Sequence, residues 1–237
     1  MYGPLCYDKT MKIDILTLFP KMFDGPFSES IISRAVKKGL ISIKIHNLRD
    51  WAKDKHKTVD DSPYGGGAGM VIRVDIIDKA ISTLKFKAQM SNVKTILLTP
   101  TGKLFNQKIA RSLSRIPHLI LICGHYEGFD TRVEKLVNEQ ISIGDYVLTG
   151  GELPAAVIVD TITRLLPGVV GKKESIKNES FSKDLLDYPA YTRPEKYRGM
   201  RVPKILLSGD HKKIEQWRKE QSIKTTKKLR KSLCRAD

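Results

Sequence analysis

The sequence has few cysteines and no long hydrophobic run, and both shortages exclude whole classes of protein. Its three cysteines among 237 residues are too few and too scattered for a disulfide framework. No apolar run approaches the roughly 18 residues that span a bilayer, and the first ten residues lack a hydrophobic signal core. We therefore expect a protein of the reducing cytoplasm that has no membrane partner.

Motifs of several common catalytic and cofactor sites are also missing. There is no Gly-x-x-x-x-Gly-Lys-Ser/Thr run for nucleotide phosphates and no Gly-x-Ser-x-Gly turn for a serine nucleophile. The five histidines have no metal-ligand spacing, so no protein-bound metal is predicted. Residues 65–69 are glycine-rich, but they follow polar residues instead of a strand, which argues against a nicotinamide or flavin site.

Positive charge is abundant and unevenly distributed. The formal net charge is +16, and residues 161–237 hold 20 basic but only 9 acidic side chains. An electropositive region of this kind attracts polyanions, of which nucleic acid is the usual one. The alternative is a lysine-rich helix whose charges only keep the protein in solution.

Strand and helix patterns alternate along the first two thirds of the chain. Strands are predicted at 12–19, 41–45, 93–99 and 119–123, with short ones near Ile141 and Val147, and helices at 28–38, 74–89, 106–114, 130–137 and 153–166. This alternation favours an α/β fold with a parallel sheet covered on both faces. The last of these helices is almost wholly apolar, so we expect it to be buried.

Composition suggests four parts. Residues 1–10 precede the first strand and are predicted to be an extension, and residues 11–167 form the α/β domain. Residues 168–190 are expected to be a charged linker that becomes ordered with substrate. Residues 191–237 are expected to form a small helical domain that carries the basic excess, with Asp210 as a helix cap.

Three glycine-bearing loops follow apolar strands, at 99–102, 124–128 and 143–154. Ligands bind at the carboxyl ends of parallel strands in open α/β sheets, and glycine allows close approach of the backbone. In the third loop, glycines flank Tyr146, Val147 and Leu148, an arrangement that suits an aromatic ligand such as adenine. The alternative is a tight strand-turn-strand with core side chains.

A long polar segment at 49–70 ends in a glycine run. One interpretation is a loop that closes over a flat base, and the other is a disordered crossover.

Seven motifs, in order from Met11 to about Leu233, resemble those of the bacterial tRNA (guanine-N1)-methyltransferase family. They are Lys12–Pro20, His56–Asp61, Pro63–Met70, Gly124–Gly128, Ser142–Pro154, Leu186–Pro194 and Leu207–His211. The resemblance implies a SPOUT-type parallel sheet with a C-terminal trefoil knot and a homodimer whose active sites lie between protomers. The general rules for the connections between strands and helices would, by themselves, predict an unknotted chain.

The resemblance further implies S-adenosylmethionine as the methyl donor, bound in the knot. The donor-site residues that it assigns are Leu98, Pro100, Gly102, Gly124, Tyr126, Glu127, Gly128, Ile143, Gly144, Asp145, Tyr146, Val147, Leu148, Gly150, Gly151 and Pro154. A requirement for Mg²⁺ stays open, because no protein cage for the ion is evident.

The implied substrate is the guanosine at position 37 of tRNA, on the 3′ side of the anticodon, with its base splayed out. The loop candidates for substrate contact are Tyr64, Gly65, Gly66, Gly67, Gly69 and Met70, and Lys212 and Arg218 are expected to contact tRNA phosphates.

The family pattern assigns the general base to Glu179 and the partner of guanine O6 to Arg164. The family usually has aspartate in Asp-Ser-Phe, whereas this chain has Glu179, so Asp187 is kept as a second candidate base. Without the resemblance, Glu179 would be interpreted as a solvated charge of the linker. The alternative for Arg164 is a structural role in an intersubunit ion pair.

Two other functions remain open from the sequence. A non-enzymatic RNA-binding or ribosome-assembly protein would share the charge asymmetry without needing the pocket. A SPOUT methyltransferase could also act on a ribose hydroxyl or on another RNA position.

Overall fold

The computed structural model describes residues 10–88, 92–171, 179–181 and 185–230. The chain forms two compact units that divide after Gly171. Nearly all of the predicted extension, ten residues of the predicted linker and the last seven residues of the predicted helical domain lie outside the described residues.

The first unit is built on a five-stranded sheet in which every neighbouring pair of strands is parallel. The strands of the chain are β1 (Met11–Thr17), β2 (Ile41–Asn47), β3 (Asp60–Asp61), β4 (Val71–Ile72), β5 (Val93–Leu104), β6 (His118–Cys123), β7 (Glu139–Ser142), β8 (Lys196–Tyr197) and β9 (Met200–Arg201). The large sheet has the order β2-β1-β6-β5-β7. The predicted α/β class with a parallel sheet is therefore confirmed.

The described residues include five α-helices: α1 (Ser30–Lys37), α2 (Val74–Ala88), α3 (Gln107–Leu113), α4 (Glu152–Thr163) and α5 (His211–Leu229). Short 3₁₀ helices cover Pro20–Phe23, Leu48–Trp51, Thr131–Leu136 and Lys204–Leu207. The α-helix expected at 130–137 is one of these 3₁₀ turns, which begins where Asp130 accepts a hydrogen bond from the Arg132 amide.

Apolar side chains are buried on both faces of the sheet, as predicted. In β6, Leu119, Leu121 and Cys123 belong to the core beneath α1, α3 and α4. Ile120 and Ile122 point to the opposite core, which α2 covers. This burial on two sides explains why β6 is an unbroken apolar run instead of an alternating one.

The prediction of a fully buried helix at 153–166 was wrong in two respects. Ala155, Ile158 and Ile162 are completely buried, but Leu153 and Val157 on the opposite face are 51% and 44% exposed. The helix also ends at Thr163 instead of Leu166. An apolar sequence therefore does not by itself establish that a helix is buried on all sides, because only one face of this helix packs against the core.

The second unit contains the β8–β9 hairpin and α5. Asp210 caps α5, as predicted, because its carboxylate accepts a hydrogen bond of 3.2 Å from the Lys213 amide. The buried positions of α5 are Ile214, Ser222 and Thr226, and the remaining surface of the helix is mostly charged.

Candidate active site

A cleft of about 410 Å³ opens at the carboxyl ends of β6 and β7, beside the part of β5 that shifts register against β7. The glycine-bearing loops at 124–128 and 143–154 line it. The segment 99–102 was predicted to be a loop but lies inside β5, from where Thr99, Pro100 and Thr101 line the cleft. The cleft thus lies at the edge where parallel sheets bind ligands. Of the predicted donor-site residues, every one except Gly102 and Asp145 lies in its wall. Its volume falls within the range of small-molecule sites.

Close backbone contacts explain two of the glycines near the cleft. A Cβ on Gly102 would lie 2.5 Å from the backbone nitrogen of Ile141. A Cβ on Gly151 would lie 2.7 Å from the Cα of Cys123 and 2.8 Å from the Gly124 nitrogen. Neither position accepts a side chain without a backbone shift. Gly102 itself lies outside the cleft wall, in the part of β5 that shifts register against β7.

The third loop is irregular instead of forming the short strand expected near Val147. Tyr146 is 55% exposed and Val147 is 85% exposed, so neither side chain is buried in the core. Both line the cleft together with Leu148. The apolar triplet between glycines therefore forms part of the cleft wall. The prediction of a short strand there was wrong.

The second loop holds a residue in an unfavourable backbone conformation. Tyr126 has a φ of +59°, in the left-handed region that bulky residues rarely adopt, and Gly128 has a φ of +105°. The Tyr126 side chain lines the cleft. Such conformations occur at functional sites, where neighbouring structure holds them.

Several residues of the cleft were missed by sequence reasoning: His125, Phe129, Thr149 and Glu134. His125 lies inside the second glycine loop, so its position in the motif was the available signal. Glu152, the first residue of α4, does not line the cleft; it was not singled out from the sequence either, although it follows Gly151 directly and is only 2% exposed.

The glycine-rich loop at 64–69 is exposed and does not line the cleft. Its end is nevertheless joined to the second cleft loop: the Glu127 amide donates to the Met70 carbonyl at 3.1 Å, and the Ile72 amide to the Gly128 carbonyl at 2.9 Å. Tyr64 is fully exposed at the tip. Of the predicted substrate loop, only the Met70 end is thus hydrogen-bonded to the cleft wall.

Arg164 lies at the C-cap of α4 instead of within the helix, because α4 ends one residue earlier. Its amide donates to the Asp160 carbonyl at 3.2 Å, and the residue is half-buried. A cation at a helix C-terminus is favoured by the helix dipole.

The two candidate bases belong to the second unit. Glu179 is half-buried and Asp187 is exposed. The Phe181 amide donates to the Leu185 carbonyl at 2.8 Å. Because the Asp187 amide also donates to the Ser180 hydroxyl at 2.9 Å, both carboxylates belong to one hydrogen-bonded segment.

The two predicted phosphate contacts lie on α5. Lys212 is exposed in its first turn, and the Arg218 guanidinium lies over the Tyr188 ring at 4.9 Å from the centroid. Arg218 is thereby held against an aromatic face while its side chain stays exposed.

Within the described ranges, no group of three or more histidine, cysteine or acidic side chains is arranged to hold a metal ion. The helices of the described residues include none long and apolar enough to cross a membrane. Burial, together with the charge of Glu152, raises the pKa of the Cys123 thiol well above its ordinary value. Cys123 is therefore a core residue and not a nucleophile.

Comparison with known proteins agrees with this site. A family model described as tRNA (Guanine-1)-methyltransferase TrmD matches residues 11–236. Among proteins named tRNA (guanine-N(1)-)-methyltransferase, that of Dictyoglomus turgidum is 55% identical over 91% of this chain and 86% of the relative. The protein of the same name from Clostridioides difficile is 50% identical over 93% of this chain and 96% of the relative. The chain therefore belongs to the tRNA (guanine-1)-methyltransferase family.

Proposed function

We propose that this protein transfers a methyl group from S-adenosylmethionine to N1 of the guanosine at position 37 of tRNA. The observation that carries the proposal is this cleft at the ends of β6 and β7, whose wall includes the two loops, 124–128 and 143–154, with motifs that resemble the family. Relatives that cover most of this chain are named for the same reaction on guanine N1 of tRNA.

The cleft fits a nucleoside donor. Backbone groups of Gly124, Gly144 and Gly151 and the apolar side chains of Leu98 and Leu148 would hold it, which matches the mixed surface that an adenine ring needs. When bound, the donor supplies an activated methyl group on a sulfonium. The exposed wall of Tyr146 and Val147 is available to cover it and exclude water.

Guanine N1 carries a proton that must leave before N1 becomes a nucleophile. We assign Glu179 as the general base, because a carboxylate that accepts this proton makes N1 nucleophilic. Arg164 would donate to guanine O6 and stabilise the negative charge that develops there. The position of Arg164 supports this role, since the residue is half-buried and lies at the C-cap of α4.

Asp187 remains the second candidate for the base. Its amide is bonded to the hydroxyl of Ser180, the residue that follows Glu179, so the two carboxylates lie on directly bonded segments. Glu179 is preferred because it occupies the position of the family carboxylate.

The remaining parts of the proposal concern tRNA and assembly. Residues Tyr64–Met70 would contact the guanine, and Lys212 and Arg218 would neutralise phosphates.

We also infer a C-terminal trefoil knot, a homodimer and a cytoplasmic location. The exposed apolar residues Leu153 and Val157 support a protein partner on α4. No step is assigned to Mg²⁺, because the described residues offer no cluster for it.

The test is to methylate tRNA transcripts in vitro and map the product nucleoside by mass spectrometry. We expect 1-methylguanosine at position 37 and none in a transcript that carries adenosine there. Methylation of a ribose hydroxyl or of another position would contradict the proposal. Calorimetry with S-adenosylhomocysteine provides a second check, since absence of binding would favour a non-enzymatic RNA-binding role.

A further inference from the structure

A buried hydroxyl of α5 is bonded to the segment that precedes Asp187. Thr226 is completely buried, although it lies in a helix whose surface is mostly charged. Its hydroxyl accepts a hydrogen bond of 2.8 Å from the Leu186 amide and donates one of 2.7 Å to the Ser222 carbonyl. The second bond lies within the helix, whereas the first joins positions that are 40 residues apart.

The bond to Leu186 explains why a polar residue occupies this position. Valine has the same branched shape as threonine and would fill the same space. The bond to the Ser222 carbonyl only satisfies the hydroxyl itself. With valine at 226, however, the Leu186 amide would lose its acceptor, and an amide without a partner is costly where water is excluded.

Hydrogen bonds continue from this segment to both candidate bases. The Asp187 amide donates to the Ser180 hydroxyl at 2.9 Å, and Ser180 directly follows Glu179. A second bond joins the same two segments, since the Phe181 amide donates to the Leu185 carbonyl at 2.8 Å. Both carboxylates are therefore connected to α5 through the Thr226 hydroxyl.

The helix holds the same segment at a second point. The Arg218 guanidinium lies over the Tyr188 ring at 4.9 Å from the centroid, and the Tyr188 amide donates to the Asp187 carboxylate at 2.9 Å. Arg218 is exposed and is a proposed phosphate contact, whereas Thr226 is buried out of reach of RNA. A change at Thr226 therefore alters the support of the bases without removing a phosphate contact.

We propose that Thr226 is a positioning residue for proton abstraction, because its bond to the Leu186 amide fixes the base-bearing segment on the helix that contacts tRNA. A general base must lie within about 3 Å of the proton that it removes, so loss of this bond misplaces the base without removing it. The inference rests on the proposed function, and it holds for either Glu179 or Asp187 as the base.

The first test compares Thr226→Val, which removes the hydroxyl, with Thr226→Ser, which keeps it. We expect the single-turnover rate at saturating tRNA and donor to fall about ten-fold in Thr226→Val, as for one lost hydrogen bond. Thr226→Ser should restore a rate near that of the wild type. Affinities for tRNA and S-adenosylhomocysteine should be unchanged in both variants. A wild-type rate in folded Thr226→Val would overturn the proposal.

The pH profile separates a misplaced base from a smaller amount of folded enzyme. As the pH rises, guanine N1 loses its proton to the solvent more often, and the enzyme depends less on its own base. We therefore expect the rate deficit of Thr226→Val to shrink from pH 7 to about pH 9. A deficit of the same size at every pH would show that Thr226 has only a structural role.

A double variant tests whether Thr226 acts through the base. Thr226→Val is combined with Glu179→Gln or Asp187→Asn, whichever loses the rate by itself. The double variant should be no slower than that base variant alone. Multiplied losses would show that Thr226 acts by another route and would overturn the inference.

Hydrogen exchange tests the bond in the wild-type protein, so it decides even if Thr226→Val does not fold. The Leu186 amide should exchange slowly, because it is bonded to a buried hydroxyl. Exchange at the rate of an unprotected amide would refute the bond. Failure of the wild type to methylate guanine N1 would instead count against the proposed function, and the exchange of Leu186 would still report on the bond.

Discussion

The backbone amide of Asp187 donates a hydrogen bond of 2.9 Å to the hydroxyl of Ser180. This bond joins the two candidate bases, because Glu179 directly precedes Ser180. Leu186, beside Asp187, is also held to α5, since its amide donates to the Thr226 hydroxyl at 2.8 Å and that hydroxyl donates to the Ser222 carbonyl. The residues that carry the two candidate bases are thus bonded to the helix that is proposed to contact tRNA.

Replacing Glu179 by glutamine should abolish proton abstraction and leave donor binding intact. We expect the single-turnover methylation rate to fall by about 10²–10⁴-fold, because general base catalysis contributes that much. Rapid-quench measurements with excess enzyme report this rate, and calorimetry with S-adenosylhomocysteine reports donor binding.

The matched control is Glu179→Asp, which keeps a carboxylate and should retain much of the rate. A full rate in Glu179→Gln together with a lost rate in Asp187→Asn would instead identify Asp187 as the base.

Replacing Arg164 by alanine should remove the donor to guanine O6. We expect a loss of about 10²–10³-fold in the single-turnover rate, comparable with the loss of one oxyanion donor. Arg164→Lys keeps the charge but not the planar fork, so it should recover the rate only in part. An unchanged rate in the alanine variant would require another O6 partner.

Replacing Gly151 by alanine should damage the cleft. The added methyl group would meet the Cα of Cys123 and the Gly124 nitrogen, both backbone atoms that cannot rotate away. We expect a loss of about 1–3 kcal/mol in the free energy of unfolding, as for overpacked sites, and weaker S-adenosylhomocysteine binding. Urea titration and calorimetry measure the two effects.

Gly25→Ala is the control, because a Cβ there would meet no atom within 4 Å. Equal stability and affinity for Gly151→Ala and Gly25→Ala would show that the close approach is unimportant.

The cleft loop at 124–128 could be located from the sequence because glycine follows a buried apolar run. The same signal pointed to 99–102, but this segment is part of β5 and not the predicted loop. Tyr146–Leu148 line the cleft, where the sequence placed them. The short strand predicted near Val147 was wrong, because an apolar triplet between glycines resembles a core strand whereas these residues are irregular and exposed. Similarly, the last residues before Pro167 fit a helix by composition, but the chain leaves the helix at Arg164.

Buried polar pairs could not be found from the sequence, because their members are far apart along the chain. Thr17 and Glu152 are 135 positions apart, and only the fold brings the end of β1 beside the start of α4. The same holds for Asp14 and His118, 104 positions apart on neighbouring strands. Polar contacts of this type leave no periodic signal in the chain.

Replacing Lys212 or Arg218 by alanine should weaken tRNA binding and reduce its dependence on salt. Each lost phosphate contact should lower the slope of log affinity against log salt concentration by about one. Fluorescence anisotropy with labelled tRNA at several KCl concentrations measures the slope. Lys87→Ala, an exposed lysine of α2 in the other unit, is the control. Wild-type slopes in both variants would exclude Lys212 and Arg218 from phosphate contact.

Replacing Asp14 by asparagine should change how stability depends on pH. The Asp14 carboxylate lies 2.5 Å from Nε2 of both His46 and His118. Burial raises the pKa of Asp14, but the hydrogen bonds and charges of the two histidines outweigh burial and hold its pKa far below the usual range. Since the folded pKa is lower than the unfolded value of about 3.9, its contribution is present above that pH and is lost as the pH falls below it.

We therefore expect the wild type to be more stable than Asp14→Asn at pH 7, by roughly 1–3 kcal/mol. The difference should shrink as the pH is lowered below about 4, because the unfolded chain then binds a proton at Asp14 that the folded chain does not. Urea unfolding between pH 7 and pH 3 measures the difference. Asp24→Asn, at an exposed position, should give a curve parallel to that of the wild type. A difference between the wild type and Asp14→Asn that stays constant down to pH 3 would show that the two histidines do not stabilise the ionised carboxylate.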